Sequence, residues 1–218
     1  MAASDKLTRD QISEQGGLGD WRVLLHTLQA AFRTGSMAKG IELAARIGAA
    51  ADEADHHPDL TITYPRVHVL LTTHDADGLT TRDTDLARSI SAIAKELAVA
   101  AEPTTVTQIE IAIDALDIAV VKPFWEAVLG YEPHQDDDSV DPHGRAPGFW
   151  FQQMDAPRPQ RNRIHIDVTV PDDVAEARIA AALAAGGTLV SDDEAPSFWI
   201  LADPEGNEAC ICTWQGRG

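Results

Sequence analysis

The sequence predicts two α+β domains in one chain. The first is an antiparallel sheet with helices on one face, and the second has a strand–helix–strand order that occurs twice. The length of 218 residues suits two domains of about 100 residues, and 44% hydrophobic residues are enough to bury a core in each. The pattern changes from helical to strand-like near residues 101–105. We therefore expect domains over residues 1–102 and 103–218.

Apolar spacing and capping residues indicate the elements of the first domain. Thr8 and Gln11 are spaced as a capping box, which opens a short helix. A longer helix is expected from Ser36 to about Asp55, because Pro58 disfavours helical geometry at the residue before it. The apolar face predicted for this helix comprises Met37, Ile41, Leu43, Ala44 and Ile47. Strands are predicted over 21–34, 60–64 and 66–73, followed by a helix that begins at Thr80 or Thr81.

The second domain is predicted to contain one order of elements twice, at an interval of about 55 residues. The first copy has a strand over 106–113, a helix over 118–129 that ends at Gly130, and strands near 131–134 and 148–154. The second copy has a strand over 164–170, a helix over 171–185, and strands near Thr188, Phe198 and 209–214. This is an internal repeat in architecture, although it is weak in sequence.

Strong acidity excludes several classes of partner. The formal net charge is −18 and the isoelectric point is near 4.6. A protein that binds nucleic acid or an anionic membrane through charge carries the opposite excess, so neither partner is expected. No apolar run approaches the ~18 residues that a membrane span requires, and the N-terminus lacks the apolar stretch of a signal peptide. We expect a cytoplasmic protein that acts on a small molecule.

Four of the eight histidines lie within one short window, and they indicate proton-transfer chemistry. Imidazole titrates near neutral pH and can both donate and accept protons there. Asp52 precedes His56 by one helical turn, so its carboxylate is predicted to reach that ring and to set its tautomer. His57 follows directly, and His74 is predicted to end the later strand. We therefore expect His57 and His74 to face one cleft.

A metal site and purely structural roles are the alternatives to proton transfer for this window. Adjacent histidines cannot easily ligate one ion together, and this half of the chain has neither a cysteine nor a His-x-x-x-His pair, so a zinc site is not favoured. His26 and His68 are interpreted as ordinary hydrogen-bonded residues, because six residues of strand separate His68 from His74 by roughly 20 Å. Asp83 also fits a capping box with Thr80.

The spacing of the whole set resembles the pterin-4a-carbinolamine dehydratase (4a-hydroxytetrahydrobiopterin dehydratase) family. The family pattern is an acid, three residues, His-His-Pro, five residues, an aromatic, a Thr-His pair and a later Arg-Asp. The matching residues are Asp52, His56-His57-Pro58, Tyr64, Thr73-His74 and Arg82-Asp83. The resemblance covers about residues 5–100, and it departs from the pattern at Leu60, where many members have a bulky aromatic.

This resemblance implies a hydro-lyase that removes water from a 4a-hydroxytetrahydropterin and yields the quinonoid dihydropterin. His56 and His74 are then the acid and base, in an order that stays open, and His57 positions the pterin. The implied catalytic set is Asp52, His56, His57, His74 and Asp83, and the implied substrate-binding set is His57, Tyr64 and Thr73. Loss of water transfers no electrons, so no cofactor is required and the pterin is the substrate. Association of family members implies a homodimer or homotetramer.

The second half resembles the glyoxalase/bleomycin-resistance (vicinal oxygen chelate) superfamily over about residues 105–215. The segments that carry the resemblance are 109–113, Pro123-Phe124-Trp125, Leu129-Gly130-Tyr131, 163–167 and 203–207. It implies two paired βαβββ modules, in agreement with the repeat described above. Such motifs indicate a fold better than a function.

Metal-binding members of that superfamily carry His, Gln or Glu on the first and last strand of each module. Glu110, Gln152 and His165 stand at three of these positions, and Glu110 and His165 are the candidate metal ligands. Cys210 stands where a Glu is usual, and a thiolate disrupts the oxygen and imidazole set that Ni, Mn or Fe favours. A metal-free module is therefore favoured. Cys212 is too close to Cys210 in sequence for an ordinary disulfide.

Other functions stay open at this point. Small-molecule binding or sequestration, or a metal-dependent lyase or dioxygenase activity, would reside in the second domain. Animal relatives of the first domain also help a transcription factor to dimerise, but the acidity of this chain disfavours contact with DNA. All three histidines of the implied catalytic set are present, which favours the dehydratase.

Overall fold

The computed structural model describes residues 6–134, 137–157, 165–213 and 215. Its contacts divide the chain into two compact units, Met1–Gln108 and Ile109–Gly218. The segment that follows the predicted boundary at residue 102 stays with the first unit, where the Gln29 side chain donates to Gln108 Oε1 at 2.6 Å. No helix among the described residues combines the length and the apolar character that crossing a membrane demands.

The first unit is α+β, with an antiparallel sheet and two main helices. Its strands are β1 (Arg22–Leu24), β2 (Thr27–Arg33), β3 (Asp59–Thr63), β4 (Arg66–Leu71) and β5 (Ala100–Ala101). Its helices are α1 (Arg9–Ser13), α2 (Met37–Ala54) and α3 (Thr81–Glu96), with a 3₁₀ helix at His74–Ala76. The sheet order is β1-β2-β4-β3 with β5 beside β2, and every pair is antiparallel.

Alternation along β2 and β4 explains why both main helices cover the same face of this sheet. Opposed pairs such as Leu28 with Leu71 and Phe32 with Val67 lie in register and are buried on one face. Residues of α2 and α3 that recur at three- and four-residue intervals pack on that face, and each fully buried Leu or Ile contributes about 1.5–3 kcal/mol. This packing holds the end of α2 next to the start of α3.

The apolar face predicted for α2 is right at Leu43 and Ile47 and wrong at Met37 and Ile41. Met37 and Ile41 are exposed, by 45% and 56%, and the buried residues of the helix are Gly40, Leu43, Ile47 and Ala51. A Cβ added at Gly40 would lie 3.3 Å from Ile62 Cγ2, so this small residue allows the helix to approach the sheet closely. A prediction from hydrophobicity alone misses part of this buried face, because Gly40 and Ala51 are small and only weakly hydrophobic.

The second unit contains two modules with the same order of elements. The first module has β6 (Glu110–Ala115), α4 (Ile118–Leu129), β7 (Glu132–Pro133), β8 (Asp138–Val140) and β9 (Gly148–Gln153). The second has β10 (Ile166–Thr169), a 3₁₀ helix at Asp172–Val174, α5 (Ala175–Ala184), β11 (Thr188–Ser191), β12 (Phe198–Ala202) and β13 (Glu208–Cys212). The sheet orders are β6-β9-β8-β7 and β10-β13-β12-β11, and in each sheet the first and last strands of the module are parallel. The predicted pair of βαβββ modules is confirmed.

In the second unit, the largest differences from the predicted strand and helix limits are the following. The strand predicted from residue 106 begins at Glu110. The short strand β8 was not predicted, and the helix predicted from Pro171 is divided into a 3₁₀ helix and α5. Residue 164, the predicted start of β10, lies outside the described residues.

A turn between β12 and β13 links the two modules. Asp203 is buried, its Oδ2 accepts a hydrogen bond from Trp125 Nε1 at 3.0 Å, and its Oδ1 accepts from the backbone N–H groups of Glu205 and Asn207 at 2.9 and 2.8 Å. The Glu205 carboxylate in turn accepts from the backbone N–H of Leu116 at 2.9 Å. The Asp-Pro-Glu-Gly-Asn motif therefore has a structural role in the packing of α4.

Candidate active site

His56 lies at the end of α2, where the chain leaves the helix. Asp55 adopts a left-handed conformation with φ of 48°, and the His56 backbone N–H donates to the Ala51 carbonyl at 3.1 Å. The turn directs the imidazole inwards, so that His56 is only 5% exposed. Its Nε2 lies 2.8 Å from Asp83 Oδ1. Because an ionised carboxylate only accepts hydrogen bonds, the contact assigns the proton to Nε2 and leaves Nδ1 able to accept one.

Asp83 is fully buried and its second oxygen is saturated with donors. The residue occupies the third position of α3 and closes a capping box with Thr80. Its Oδ2 accepts hydrogen bonds from the Thr80 backbone N–H at 2.7 Å and from Thr73 Oγ1 at 2.6 Å. Both interpretations of Asp83 offered by the sequence are therefore compatible, since one oxygen caps the helix while the other orients His56.

Asp52 contacts His57 and not His56, so the predicted contact between Asp52 and His56 is wrong. His57 Nε2 lies 3.1 Å from Asp52 Oδ1, and both side chains are exposed, by 62% and 81%. The one-turn rule that motivated the prediction requires the helix to continue. The helix ends at Asp55, before this spacing can apply. The chain then turns His56 inwards and places His57 next to Asp52.

The three histidines line one small cleft at this end of the first unit. Its volume is about 310 Å³, near the lower limit of the range typical of small-molecule sites. The lining residues are Asp55, His56, His57, Pro58, Asp59, Thr72, His74, Asp75 and Arg82. Three larger cavities contain none of these three histidines: two, of about 470 and 380 Å³, lie against α1, and one of about 410 Å³ is lined by residues of α3 and β5. The chemistry of the side chains, and not the size of the cavity, therefore identifies the cleft as the candidate site.

His74 faces the cleft from a 3₁₀ helix and not from a strand. The strand β4 ends at Leu71, two residues earlier than predicted, and His74 begins the following 3₁₀ turn with an exposed side chain. The short bridge between Thr73 and Gly78 closes this loop. His74 is thereby presented from the loop opposite the end of α2.

Two residues predicted to contact the substrate do not lie in the cleft. Tyr64 is 72% exposed in the turn that follows β3, about 20 Å along the strand from Pro58. Thr73 is 2% exposed, and its hydroxyl is used by Asp83. The structure therefore assigns Thr73 to the support of Asp83, and it separates Tyr64 from the three histidines.

Arg82 is a cleft residue to which the sequence assigned no role. Its Nη2 donates to the Asp55 carbonyl at 2.8 Å, and its Nη1 contacts Asp75 Oδ1 at 3.4 Å. The guanidinium thus ties the end of α2 to the loop that carries His74. The sequence did offer an indication of this role. Arg82 lies in the first turn of α3, where the helix dipole disfavours a positive charge, so another interaction was to be expected for its guanidinium.

In the second unit, two of the candidate metal positions, Glu110 and Gln152, lie outside the group of possible ligands that contains His165. His165, Asp167 and Cys210 have ligand atoms within 4.8 Å of one another, and they form the one such group found among the described residues. Glu110 is exposed on β6 opposite Gly148, and Gln152 pairs with Asp114, so neither belongs to the group. Burial, together with a hydrogen bond from the thiol to Asp167, raises the pKa of Cys210 to about 12.

Two family models match the chain. The model described as pterin 4 alpha carbinolamine dehydratase matches residues 5–93. The model described as a glyoxalase-like domain matches residues 110–212. The matched ranges fall within the first and second compact units respectively.

Curated relatives match the first unit, and three examples carry the name "Putative pterin-4-alpha-carbinolamine dehydratase". The relative from Natronomonas pharaonis is 39% identical over 92 residues, which is 42% of this chain and 99% of that protein. The one from Nostoc punctiforme is 40% identical over 88 residues, 40% of this chain and 95% of that protein. The one from Thermomicrobium roseum is 57% identical over 49 residues, 22% of this chain, so the match spans 53% of that relative's length.

Solved structures resemble parts of the chain. A transcriptional coactivator/pterin dehydratase from Brucella melitensis has 29% sequence identity and a TM-score of 0.40, and the match covers 41% of this chain and 99% of that one. A glyoxalase/bleomycin resistance protein/dioxygenase from Alicyclobacillus acidocaldarius has 18% identity and a TM-score of 0.37, over 51% of this chain and 93% of that one.

Proposed function

We propose that the first unit of this chain, which belongs to the pterin-4a-carbinolamine dehydratase family, removes water from a 4a-hydroxytetrahydropterin at the cleft lined by His56, His57 and His74. The chain joins this hydro-lyase domain to a glyoxalase-like domain. One observation carries the proposal: three imidazoles from two segments of the chain line one cleft, and a fully buried carboxylate orients one of them.

The reaction requires two proton transfers and no transfer of electrons. Hydroxide is a poor leaving group, so an acid must protonate the 4a-oxygen as the C4a–O bond breaks. A base must accept a proton from a ring N–H as the C=N bond forms, and water is released. General acid–base catalysis by a positioned side chain contributes about 10²–10⁴-fold to the rate of a step of this kind. The substrate is the pterin itself, and the proposed chemistry uses no cofactor.

His56 and His74 are suited to these two transfers for different reasons. The contact with Asp83 sets the tautomer of His56 and leaves Nδ1 as its second proton-transfer atom. His74 is exposed on the opposite loop, where it can exchange protons with solvent between turnovers. Which of the two protonates the leaving hydroxyl stays open, as in the sequence prediction.

His57 is proposed to position the substrate. Its ring is exposed at the rim of the cleft and is steadied by the contact of Nε2 with Asp52, so Nδ1 can accept a hydrogen bond from an N–H group of the pterin. Arg82 holds the two walls of the cleft together. Tyr64 has no part in this proposal, and Thr73 acts through Asp83. The predicted homodimer or homotetramer stays a prediction, which sedimentation velocity would test.

The test is the dehydration of a synthetic 4a-hydroxytetrahydropterin, followed by stopped-flow absorbance. We expect the wild-type chain to accelerate the reaction over buffer, and His74→Ala to reduce the rate by about 10²–10⁴-fold with an unchanged circular dichroism spectrum. His26→Ala is the matched control, because His26 is exposed in the turn between β1 and β2, outside the cleft. No acceleration by the wild type, or an equal loss in the control, would refute the proposal.

A further inference from the structure

Two neighbouring cavities of the first unit lie against α1. Their volumes are about 470 and 380 Å³, within the range of about 300–1,000 Å³ that is typical of small-molecule sites. Arg9, Ile12 and Val23 line both cavities, so the two form one continuous groove, which we call the α1 groove. None of the described residues that line the dehydratase cleft lines this groove. The α1 groove is therefore a place where a different molecule can bind.

The floor of the α1 groove is apolar and fixed by packing. Four of its residues belong to the hydrophobic core of the first unit and are at most 4% exposed: Ile12, Trp21, Leu28 and Leu79. Val23 is partly buried and packs against the same core. Apolar ligand surface that lies on this floor is removed from water, which favours binding. The groove therefore suits a molecule with an apolar body.

The rim of the α1 groove is basic. Its exposed basic side chains are Lys6, Arg9, Arg22 and His26. No Asp or Glu in the described part of the chain lines either cavity, although 35 of the 218 residues are acidic. The dehydratase cleft differs, because three aspartates line it beside one arginine. The α1 groove is therefore a local positive region on a chain whose formal net charge is −18.

The cations of this rim are not neutralised by carboxylates. Arg22 Nη1 donates to two backbone carbonyls, at 2.6 and 3.0 Å, and Lys6 Nζ donates to the Asp77 carbonyl. Within the described ranges, the Arg9 side chain forms neither a hydrogen bond nor an ion pair. Arg9 is also the arginine that lines both cavities. Its guanidinium is therefore the group best placed to pair with an anion in the groove.

A carboxylate is the anion that this arrangement fits best. A guanidinium presents a planar pair of N–H donors that matches the two oxygens of a carboxylate. An apolar body attached to that carboxylate would lie on Ile12 and Val23, which line the groove together with Arg9. The acidity of the remaining chain opposes this only weakly, because charges are screened beyond about 8 Å at physiological ionic strength. The local cations therefore decide the sign of the ligand.

We propose that the α1 groove binds a small organic carboxylate with an apolar body, whose charged end pairs with Arg9. This site is independent of the proposed dehydration, since it shares no described lining residue with the dehydratase cleft. The simpler alternative is an apolar depression whose basic rim is only solvated, and which takes neutral and charged molecules equally well. Matched ligands that differ only in charge separate the two.

Titration of the isotope-labelled full chain, followed by amide NMR, provides the test. The probes share one skeleton and are phenylbutyrate, phenylbutanol and phenylbutylamine, which are anionic, neutral and cationic at neutral pH. We expect saturable shifts with phenylbutyrate at groove residues such as Gly17, Gly19 and Gly78. Phenylbutyrate should bind about tenfold more tightly than phenylbutanol, since hydrogen bonds between ionised groups are stronger than neutral ones. Phenylbutylamine should bind more weakly than either.

Arg9→Gln assigns the charge preference to one residue. Arg9 is exposed, so the fold should be retained, and we expect phenylbutyrate to bind about tenfold more weakly while phenylbutanol binds as before. Arg46→Gln is the matched control, because Arg46 is an exposed arginine on α2 that lines neither cavity. The comparison of probes on the wild type does not depend on either variant.

Several outcomes would overturn the proposal. Phenylbutyrate would fail to bind, or would bind no more tightly than phenylbutanol. Its shifts would be confined to the dehydratase cleft or to the second unit. Its affinity would be unchanged in Arg9→Gln, or reduced equally in Arg46→Gln.

Discussion

Two neighbouring histidines in the first unit each have an aspartate partner, but they lie in opposite environments. The pair of His56 and Asp83 is buried, with side chains 5% and 0% exposed and a contact of 2.8 Å. The pair of His57 and Asp52 has side chains 62% and 81% exposed and a contact of 3.1 Å. The two histidines are adjacent in sequence, so the left-handed turn at Asp55 is what separates their environments.

A histidine–aspartate pair can therefore be a buried structural support or a weak surface contact, depending on its exposure. Loss of one partner of a buried pair leaves an unpaired group in a medium of low dielectric and costs about 3–5 kcal/mol. An exposed pair competes with water and salt and contributes about 0–1 kcal/mol. We therefore assign orientation of the His56 ring to Asp83 and only a modest steadying effect on the His57 ring to Asp52.

Removal of the buried carboxylate is expected to have the largest effect. Asp83→Ala leaves His56, the Thr73 hydroxyl and the Thr80 N–H without their common acceptor. The free energy of unfolding of the first unit should fall by about 3–5 kcal/mol, and the dehydration rate by about 100-fold or more. Urea denaturation measures the first effect, with hydrogen exchange to assign it to residues 6–108. A loss below about 1 kcal/mol would show that the buried pair is no stronger than an exposed one.

Removal of the hydroxyl behind Asp83 should have an intermediate effect. Thr73→Val keeps the shape of the side chain but deprives Asp83 Oδ2 of a donor at 2.6 Å. We expect a loss of about 1–3 kcal/mol in stability and a lower kcat with little change in KM, because Thr73 does not line the cleft. Thr73→Ser retains the hydroxyl and should restore kcat. A rise in KM alone would instead favour the substrate contact that the sequence predicted.

Removal of the exposed carboxylate should have the smallest effect on stability. Asp52→Asn is expected to change the free energy of unfolding by less than about 1 kcal/mol. The difference from wild type should disappear at 1 M NaCl, where charges are screened beyond about 3 Å. Urea denaturation at low and high salt measures this. A cost as large as that of Asp83→Ala would abolish the distinction between the two pairs.

The positions of the elements could be predicted more fully than the contacts at their ends. The range 118–129 predicted for α4 is the observed one, because its apolar spacing and Gly130 define both the helix and its end. The contact predicted between Asp52 and His56 failed because the helix ends at a left-handed aspartate, which hydrophobic spacing does not reveal. The hydrogen bond from Thr73 to Asp83 was not predicted for a related reason: its polar partner lies ten residues away on another element.

The two-domain α+β architecture, the repeated modules of the second half and the pattern of histidines could be predicted from residue order alone, since each depends on local spacing along the chain. The folded structure was needed to show which aspartate contacts which histidine, that Tyr64 lies away from the cleft, and that His165, Asp167 and Cys210 come together. Spacing along the chain does not reveal these contacts, because they depend on where elements end and how separate elements pack together. Their geometry depends on how α2 ends, how α3 packs beside it and how β10 aligns with β13.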